Sequence, residues 1–290
     1  MRRAFAAAPA ATQGILLFCG VMFLFSLMDV VAKMMTARYP PLEVVWARYA
    51  SQFFWTLVVL SPRLRTLLRT RHLPLQLVRS SFLFCATFCF FNALKHLQFA
   101  EATAIFEIAP LVITLLSVVV LGEVVGVRRW MGVFAGMLGA LLIIRPGTDV
   151  FMVEALYPVA AATCFAGYSI STRMLSGDEP PATSFLYTTL IGTIAASFLV
   201  PSVWVTPAWS DVPILATFGI LGGIGHFGLI IALSRTEASV LAPFGYVALI
   251  MNAIWGLLVF SEIPDAWTWI GASIIVGSGL YVWHRERIRA

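Results

Sequence analysis

Charged side chains are scarce in this sequence: Asp, Glu, Lys and Arg make up 11% of the 290 residues, and hydrophobic residues make up 60%. A soluble domain has roughly 25% charged residues, because its surface must face water. The shortage excludes a soluble globular protein of this length. The formal net charge is +5, but the basic residues lie between apolar runs rather than in one patch, so we predict no nucleic-acid partner.

Motifs of the common enzyme chemistries are also missing. The sequence has no GxxxxGKS/T loop for ATP, no HExxH metal motif and no Gly-x-Ser-x-Gly nucleophile elbow. The run from Gly223 to Gly228 fits GxGxxG, but it lies in an apolar helix without the preceding strand that a dinucleotide site requires. Close helix packing through small residues explains this run. We predict no enzyme activity, no catalytic residue and no cofactor.

Cysteine is also rare, with four residues that all lie in apolar runs: Cys19, Cys85, Cys89 and Cys164. Cys85 and Cys89 share one helix face, a spacing at which two thiols could hold a metal or exchange electrons. No His or acidic residue stands beside them, and a buried free cysteine behaves as a small hydrophobic residue. We therefore predict packing roles and no metal site.

The apolar residues come in runs of about twenty, the length at which a helix crosses a bilayer. Helix breakers such as Pro40-Pro41, Pro146-Gly147, Pro180-Pro181 and Pro264 fall between the runs. This pattern predicts an all-α, polytopic membrane protein with ten transmembrane helices. The predicted spans are residues 13–35, 42–60, 75–94, 102–121, 129–144, 151–172, 182–200, 212–233, 238–260 and 266–283.

The distribution of basic residues predicts the orientation of these spans. With ten spans and a cytoplasmic N-terminus, fourteen basic residues fall on the inner side, Arg79 among them, and four fall outside: Lys33, Arg38, Lys95 and Arg145. Arg48 lies within the second span and completes the nineteen. The positive-inside rule then places both termini in the cytoplasm of a cell whose inner membrane holds the protein.

The chain also repeats itself. Lys33-Met34-Met35 followed by Pro40-Pro41 matches Arg173-Met174-Leu175 followed by Pro180-Pro181, and Gly122-Glu123 with Trp130 matches Ser261-Glu262 with Trp269. We predict two five-helix repeats, residues 13–145 and 151–284. Because five is odd, the second repeat is inverted relative to the first, an architecture of secondary transporters. The pattern places Glu123 and Glu262 on opposite faces, each capping the fifth helix of its repeat.

This duplicated unit, with Gly-Glu after the fourth helix and Trp-x-Gly opening the fifth, resembles the EamA family of the drug/metabolite transporter superfamily. Met28 to Lys33, Trp46 to Tyr49 and Glu101 to Phe106 are similar to a bacterial branch of small-metabolite permeases within it. The resemblance implies a ten-helix fold with a central cavity and transport without ATP. Relatives of this kind carry amino acids, S-adenosylmethionine, riboflavin or opine-type metallophores. The chain departs from a strict repeat where Leu249 replaces Pro110.

Ionisable residues inside the membrane are costly and mark functional sites. At 1.5 Å per residue, Asp29, Arg48 and Glu107 fall at similar depths in the outer half of the membrane. We expect Arg48 to pair with one of the two carboxylates. Two interpretations of this pair stay open: a gate or ion site of the transport pathway, and a structural lock between helices.

The repeat maps Asp29, Arg48 and Glu107 onto Ser169, Thr188 and Tyr246, which predicts a neutral polar layer in the inner half. The candidate substrate and ion pathway is therefore Asp29, Arg48, Glu107, Tyr168, Tyr246 and Asn252. We expect His226 to satisfy a polar neighbour rather than to relay protons. The phenylalanines of the third span, from Phe82 to Phe91, are expected to pack rather than to form an aromatic cage.

The sequence thus favours a secondary transporter of amino acids or similar zwitterionic compounds, with the bilayer, a small substrate and a coupling proton or ion as its partners. Uptake of S-adenosylmethionine or riboflavin-like metabolites is the alternative. An intramembrane enzyme and a structural scaffold are the alternatives of other classes. Inverted halves favour alternating access over an open pore.

The topology yields a first prediction. Cysteines placed at Arg2 and at Arg289 should resist a membrane-impermeant maleimide added to intact cells, because both positions face the cytoplasm. Permeabilised cells provide the control and should label at both sites. Efficient labelling of either position in intact cells would refute the ten-span topology.

Overall fold

The computed structural model describes residues 10–122, 127–145, 152–236 and 241–287, and within these ranges every regular element is helical. The α-helices are α1 (Ala10–Thr36), α2 (Pro41–Leu60), α3 (Leu64–Leu67), α4 (Leu73–His96), α5 (Phe99–Phe106), α6 (Ala109–Leu121), α7 (Val127–Ile144), α8 (Leu156–Leu175), α9 (Pro181–Leu199), α10 (Val212–Arg235), α11 (Tyr246–Phe260) and α12 (Ala266–Arg287). Single 3₁₀ turns cover Ser61–Arg63, Val153–Ala155, Val200–Ser202 and Ala242–Gly245. The predicted all-α class is confirmed.

Among the described residues, five helical stretches are long and apolar enough to cross a membrane: Gln13–Thr36, Leu73–His96, Phe99–Leu121, Pro181–Ser202 and Val212–Arg235. Shorter apolar helices cover Trp130–Ile144, Val247–Phe260 and Ala266–Ser278. The other two spans, α2 and α8, bury polar residues such as Arg48 and Thr172 against protein rather than lipid. The outer surface carries large apolar side chains such as Phe198, which is 82% exposed, as a lipid-facing surface requires.

The two halves of the chain begin their second spans in the same way. Helices α2 and α9 both start at the second proline of a Pro-Pro pair, after Pro40 (φ −54°, ψ 137°) and Pro180 (φ −60°, ψ 138°). Proline suits this first position because it has no N–H group to leave unpaired there and its φ is already helical. The repeated dipeptide is therefore a repeated helix start.

Helix packing follows the same duplication. Helix α1 packs against α10, and the equivalent pair α8 and α4 packs in the same way, whereas α2 contacts its own counterpart α9 and α7 contacts α12. At the α7–α12 crossing, a Cβ on Gly139 would lie 2.7 Å from the Gly271 carbonyl, and one on Gly271 would lie 2.5 Å from the Gly139 carbonyl. Only glycine permits the two backbones to come this close. Because the contact is reciprocal, a local two-fold axis relates the two halves at this crossing.

Contacts between helix ends define two opposite faces. On one, which we call the distal face, Lys33 pairs with Glu262 at 2.9 Å and Arg38 with Asp211 at 2.8 Å. On the other, the terminal face, Arg235 donates to Gln13 at 2.9 Å near the start of α1. All these contacts agree with spans that alternate in direction. Each five-span unit therefore enters and leaves on different faces, which makes the repeats inverted.

Equivalent connecting residues form a polar pair on each face, with the acidic and basic positions exchanged between the two repeats. At the distal face Asp211 accepts hydrogen bonds from Arg38 and from the Tyr39 hydroxyl, both at 2.8 Å. The Tyr39 hydrogen bond and the Arg38 guanidinium lower the pKa of Asp211, so this carboxylate is charged at neutral pH. At the terminal face Asp178, the counterpart of Arg38, lies 3.4 Å from His72. The α1–α2 and α8–α9 connections are thus tied down symmetrically.

The fourth span of the first repeat is interrupted, which the sequence pattern did not predict. This span begins at Phe99, three residues before the predicted start, and breaks between α5 and α6 around Glu107. Pro110 has no N–H group to donate to the Phe106 carbonyl, which explains the break. At the equivalent place of the second repeat a 3₁₀ turn ends at Gly245, although Leu249 replaces the proline.

The predicted capping role of Glu262 is wrong. Its carboxylate accepts the Phe99 N–H at 2.5 Å at the start of α5 and pairs with Lys33. The cap of α12 is Asp265, which accepts the Thr268 N–H at 2.8 Å. Glu262 therefore joins α1, α5 and the α11–α12 connection at the distal face, whereas its counterpart Glu123 lies outside the described residues.

Candidate functional site

A cavity of about 110 Å³ lies between the two halves of the chain. Its wall is mostly apolar and includes six phenylalanines: Phe18, Phe25, Phe90, Phe91, Phe106 and Phe165. Phe90 and Phe91 belong to the third span, so part of that phenylalanine cluster lines the cavity as well as packing. The polar residues of the wall are Asp29, Arg48, Thr87, Thr103, Glu107, His226 and Asn252.

Arg48 crosses the interface between the repeats. It lies seven residues into α2, about 10 Å from the distal end of the helix, and it is 2% exposed. Its two terminal nitrogens contact the Thr87 hydroxyl and Nε2 of His226. Helices α4 and α10 start 139 residues apart, and so do Thr87 and His226. One guanidinium thus holds equivalent positions of the two repeats together.

The ion pair that we predicted for Arg48 is not formed in this structure. Neither Asp29 nor Glu107 lies within salt-bridge distance of its guanidinium in the part of the chain that the structure describes. The two terminal nitrogens of the guanidinium contact Thr87 and His226 instead, and the centre of the Tyr49 ring lies 5.0 Å from the guanidinium carbon. Helical rise predicts that these side chains lie in one layer, but it carries no information on which faces of their helices meet.

Two residues of the cavity wall, Arg48 and His226, carry hydrogen-bond donors, and we call them the donor pole. A guanidinium only donates, so Nε2 of His226 accepts from Arg48 and the ring proton resides on Nδ1. Both Nδ1 of His226 and Nε of Arg48 are buried without a hydrogen-bond partner. Two unsatisfied donors, one of them charged, therefore belong to residues that line one cavity, and burial makes such groups costly unless a ligand satisfies them.

Three other residues of the wall, Asp29, Glu107 and Asn252, carry hydrogen-bond acceptors, and we call them the acceptor pole. The Asn252 amide donates to the Asp29 carboxylate at 3.2 Å, while its own oxygen is buried without a partner. Glu107 occupies the break between α5 and α6 and is 5% exposed. A Cβ on Gly245 would lie 3.8 Å from the Glu107 carboxylate. The break in the first repeat's fourth span therefore lies beside the 3₁₀ turn that precedes α11 in the second repeat. Discontinuous helices that face each other across a cavity are a feature of transporter binding sites.

Four of the predicted pathway residues therefore line one cavity: Asp29, Arg48, Glu107 and Asn252. Tyr168 lies behind it, fully buried, with its ring edge-on to His226 at 6.2 Å. The side chain of Tyr246 lies outside the described residues. Thr87 was missed, because one threonine in an apolar run carries no signal until its helix is paired with α2.

Comparison with known proteins decides the family. The sequence profile of the EamA-like transporter family matches residues 12–145 and, a second time, residues 152–283. The chain belongs to the EamA-like transporter family. It is a multi-pass membrane protein of a bacterial transporter family and not an enzyme, and the resemblance noted from its motifs is confirmed.

Individual EamA-like relatives match over nearly the full length. The chain is 30% identical to the pseudopaline exporter CntI of Pseudomonas aeruginosa, over 91% of this chain and 93% of that protein. It is 28% identical to an S-adenosylmethionine uptake transporter of Rickettsia felis, over 89% and 88% of the two chains. It is 29% identical to a riboflavin transporter of Vibrio cholerae, over 96% and 95%. Transport of small metabolites is common to these relatives.

A solved crystal structure shares the fold of this EamA-like chain. It aligns with a TM-score of 0.71 over 96% of this chain and 99% of the other, at 23% identity. At that identity the likeness speaks for the fold alone. The helix arrangement described above is thus one that a solved structure also adopts.

The structure overturns the expectation of a neutral inner layer. Arg79, which the topology count assigned to a connecting segment, lies inside α4 and is fully buried. It ends the second turn of its helix, about 9 Å from the terminal-face end. Its position near the start of an apolar run made it read as a flanking residue. The buried polar residues of this EamA-like protein therefore include a cation in each half of the membrane.

The geometry of Arg48 predicts the effect of its replacement. Arg48→Lys keeps the charge but cannot contact Thr87 and His226 together, because lysine lacks the planar fork. Loss of one charged hydrogen bond, about 1.5–3 kcal/mol, should leave a folded protein whose substrate counterflow in vesicles is roughly tenfold slower.

The matched control is Arg65→Lys, which changes the same residue type at an exposed position of α3, outside the cavity wall, and should transport at the wild-type rate. Size-exclusion profiles of both variants check folding. Wild-type rates for Arg48→Lys and Arg48→Ala alike would show that Arg48 is neither gate nor ligand.

Proposed function

We propose that this EamA-like protein is a secondary transporter of zwitterionic metabolites, amino acids or compounds with an amino-acid end. The observation that carries the proposal is that the wall of one cavity holds both the donors of Arg48 and His226 and the acceptors of Asp29, Glu107 and Asn252. A substrate bearing a carboxylate and an ammonium group satisfies both poles at once. A neutral substrate leaves the charge of Arg48 without a counter-ion.

The donor pole suits a carboxylate. Nε of Arg48 and Nδ1 of His226 offer two N–H groups, and carboxylate oxygens form their strongest hydrogen bonds with charged donors of this kind. Because His226 already accepts from Arg48, its remaining proton adds to the positive end of the cavity. Both groups are buried, so solvent screens their interaction with a bound anion less than at a surface.

The acceptor pole suits an ammonium group. Asp29 and Glu107 supply carboxylates and Asn252 supplies an amide oxygen without a partner. An ammonium has three donors and no acceptor, which matches this set. The same groups suit a coupling proton or cation once the substrate has left, which would link transport to an ion gradient.

The apolar wall is suited in chemistry to an aromatic body beside the charged ends. Six phenylalanines line it, and aromatic rings stack well on flat, conjugated groups. S-adenosylmethionine, the substrate named for the Rickettsia felis relative, joins an amino-acid end to a purine. Riboflavin, named for the Vibrio cholerae relative, fits the phenylalanine wall but not the charged poles, and is our second candidate.

Alternating access follows from the two inverted repeats, for which we propose the limits 13–145 and 151–284. The distal face is closed by the Lys33–Glu262 and Arg38–Asp211 pairs, which must separate when the cavity opens there. With Arg79 moved into the membrane, the count of basic residues still favours a cytoplasmic terminal face. We therefore propose an inner-membrane location with both termini in the cytoplasm.

Counterflow in proteoliposomes tests the substrate class. Vesicles preloaded with unlabelled methionine or S-adenosylmethionine should accumulate the labelled form of the same compound. Vesicles preloaded with riboflavin should not accumulate labelled riboflavin. Methioninamide, which lacks the carboxylate, and 4-(methylthio)butanoate, which lacks the ammonium, should each inhibit roughly tenfold more weakly than methionine, because each leaves one pole unsatisfied. Accumulation of riboflavin alone would replace the proposal with the second candidate, and counterflow of none of the three would contradict both.

A further inference from the structure

Arg79 is a second buried guanidinium that the cavity does not use. It is fully buried inside α4, and in the part of the chain that the structure describes no carboxylate lies within salt-bridge distance of it. Its hydrogen bonds go to neutral acceptors: Thr172 Oγ1 at 2.7 Å, the Ser184 carbonyl at 2.8 Å, the Tyr168 hydroxyl at 3.2 Å and Gln76 Oε1 at 3.3 Å. A buried cation that lacks a counter-ion costs free energy and marks a functional site within a membrane.

The repeat shows where Arg79 lies relative to Arg48. The counterpart of Arg48 in the inverted repeat is Thr188, whose hydroxyl donates to the Ser184 carbonyl at 2.9 Å. Arg79 donates to that same carbonyl. Its guanidinium therefore stands beside the mirror position of Arg48, in the opposite half of the membrane. The second repeat supplies no cation there, since Thr188 is neutral, and the counterpart of Arg79 in the distal half is the equally neutral Phe218.

Two side chains connect the guanidiniums. The Tyr168 ring lies 4.8 Å from the Arg79 guanidinium and 6.2 Å from the His226 ring, which in turn contacts Arg48. Counted along their helices, the two arginines lie about 9–10 Å from opposite faces. In a hydrocarbon core of about 30 Å, this leaves roughly 10 Å of depth between them.

We propose that Arg79 is a second anion site on the transport path, which receives the substrate carboxylate from Arg48 when the cavity opens toward the terminal face. Hydroxyl groups around Arg79 both donate and accept, so Thr172 and Tyr168 can give up the guanidinium to an incoming carboxylate. The identity of this anion as a carboxylate rests on the proposed function. The competing explanation is a structural lock, in which Arg79 only ties α4 to α8 and α9.

Substituted-cysteine labelling separates the two without any substrate. The reporter is Thr172→Cys, in contact with Arg79, in a chain whose four native cysteines are replaced by alanine. The purified protein in detergent is treated with two methanethiosulfonates of similar size, the anionic sulfonatoethyl and the cationic trimethylammonioethyl reagent. The matched control is Leu77→Cys on α4, the helix that carries Arg79. This position is 44% exposed toward lipid and should react with neither reagent.

An anion site predicts that Thr172→Cys reacts with the anionic reagent on the order of tenfold faster, because a buried charge focuses counter-ions. Adding Arg79→Lys should keep the preference, and adding Arg79→Gln should abolish it, with size-exclusion profiles as the check on folding. Absence of reaction with both reagents, at times when denatured protein labels fully, would establish the structural lock. Equal rates, or a preference that survives Arg79→Gln, would also overturn the proposal.

These outcomes are independent of the substrate class. If counterflow fails for every zwitterion but the labelling preference depends on Arg79, the proposed substrate is wrong and the anion site stands. If zwitterions are carried and Thr172→Cys shows no anionic preference, the second site is wrong and the substrate class stands.

Discussion

The contact of one guanidinium with two equivalent side chains holds the centre of this protein together. Arg48 bridges Thr87 on α4 and His226 on α10, helices that the local two-fold axis relates. The bridge spans the interface along which inverted repeats move in alternating access. It is also incomplete, since Nε of Arg48 and Nδ1 of His226 have no partner. The group that joins the repeats is thus also the group that needs an anion.

Polar residues are confined to the helices that lipid does not reach. Helices α2 and α8 are not among the long apolar stretches, and they carry polar side chains such as Gln52 and Ser169 on buried faces. The surrounding spans shield these faces and keep apolar residues outside. The interrupted fourth span of the first repeat adds Glu107 at the cavity, where protein rather than lipid surrounds it. Contact with lipid thus explains the apolar outer surface, and the cavity explains the polar residues inside the spans.

Much of the fold was predictable from the sequence because hydrophobic length, helix breakers and basic residues report directly on the bilayer. The repeat was visible in Lys33-Met34-Met35 and its match at Arg173, and oddness of the unit implied inversion. The break at Glu107 was not predicted, although Pro110 stands in the sequence, because proline near the middle of an apolar run is often tolerated in membrane helices.

The depth of the ionisable residues in the membrane was predictable from the sequence, but the partners of their side chains were not. Helical rise placed Asp29, Arg48 and Glu107 at one level, and these side chains do line one cavity. Which partner each one contacts depends on helix rotation and on the partner helix, neither of which a single span encodes. Arg79 shows the same limit, because a basic residue near a span end reads as a topology signal whether it snorkels to the surface or turns inward.

A structure with bound substrate tests most directly whether the two poles of the cavity recognise one zwitterion. Cryo-electron microscopy of the protein in nanodiscs with saturating methionine or S-adenosylmethionine should show the carboxylate within hydrogen-bond distance of Arg48 Nε and His226 Nδ1. The ammonium should lie beside Glu107 and the Asn252 oxygen. A ligand bound in the opposite orientation, or bound outside this cavity, would contradict the assignment of both poles.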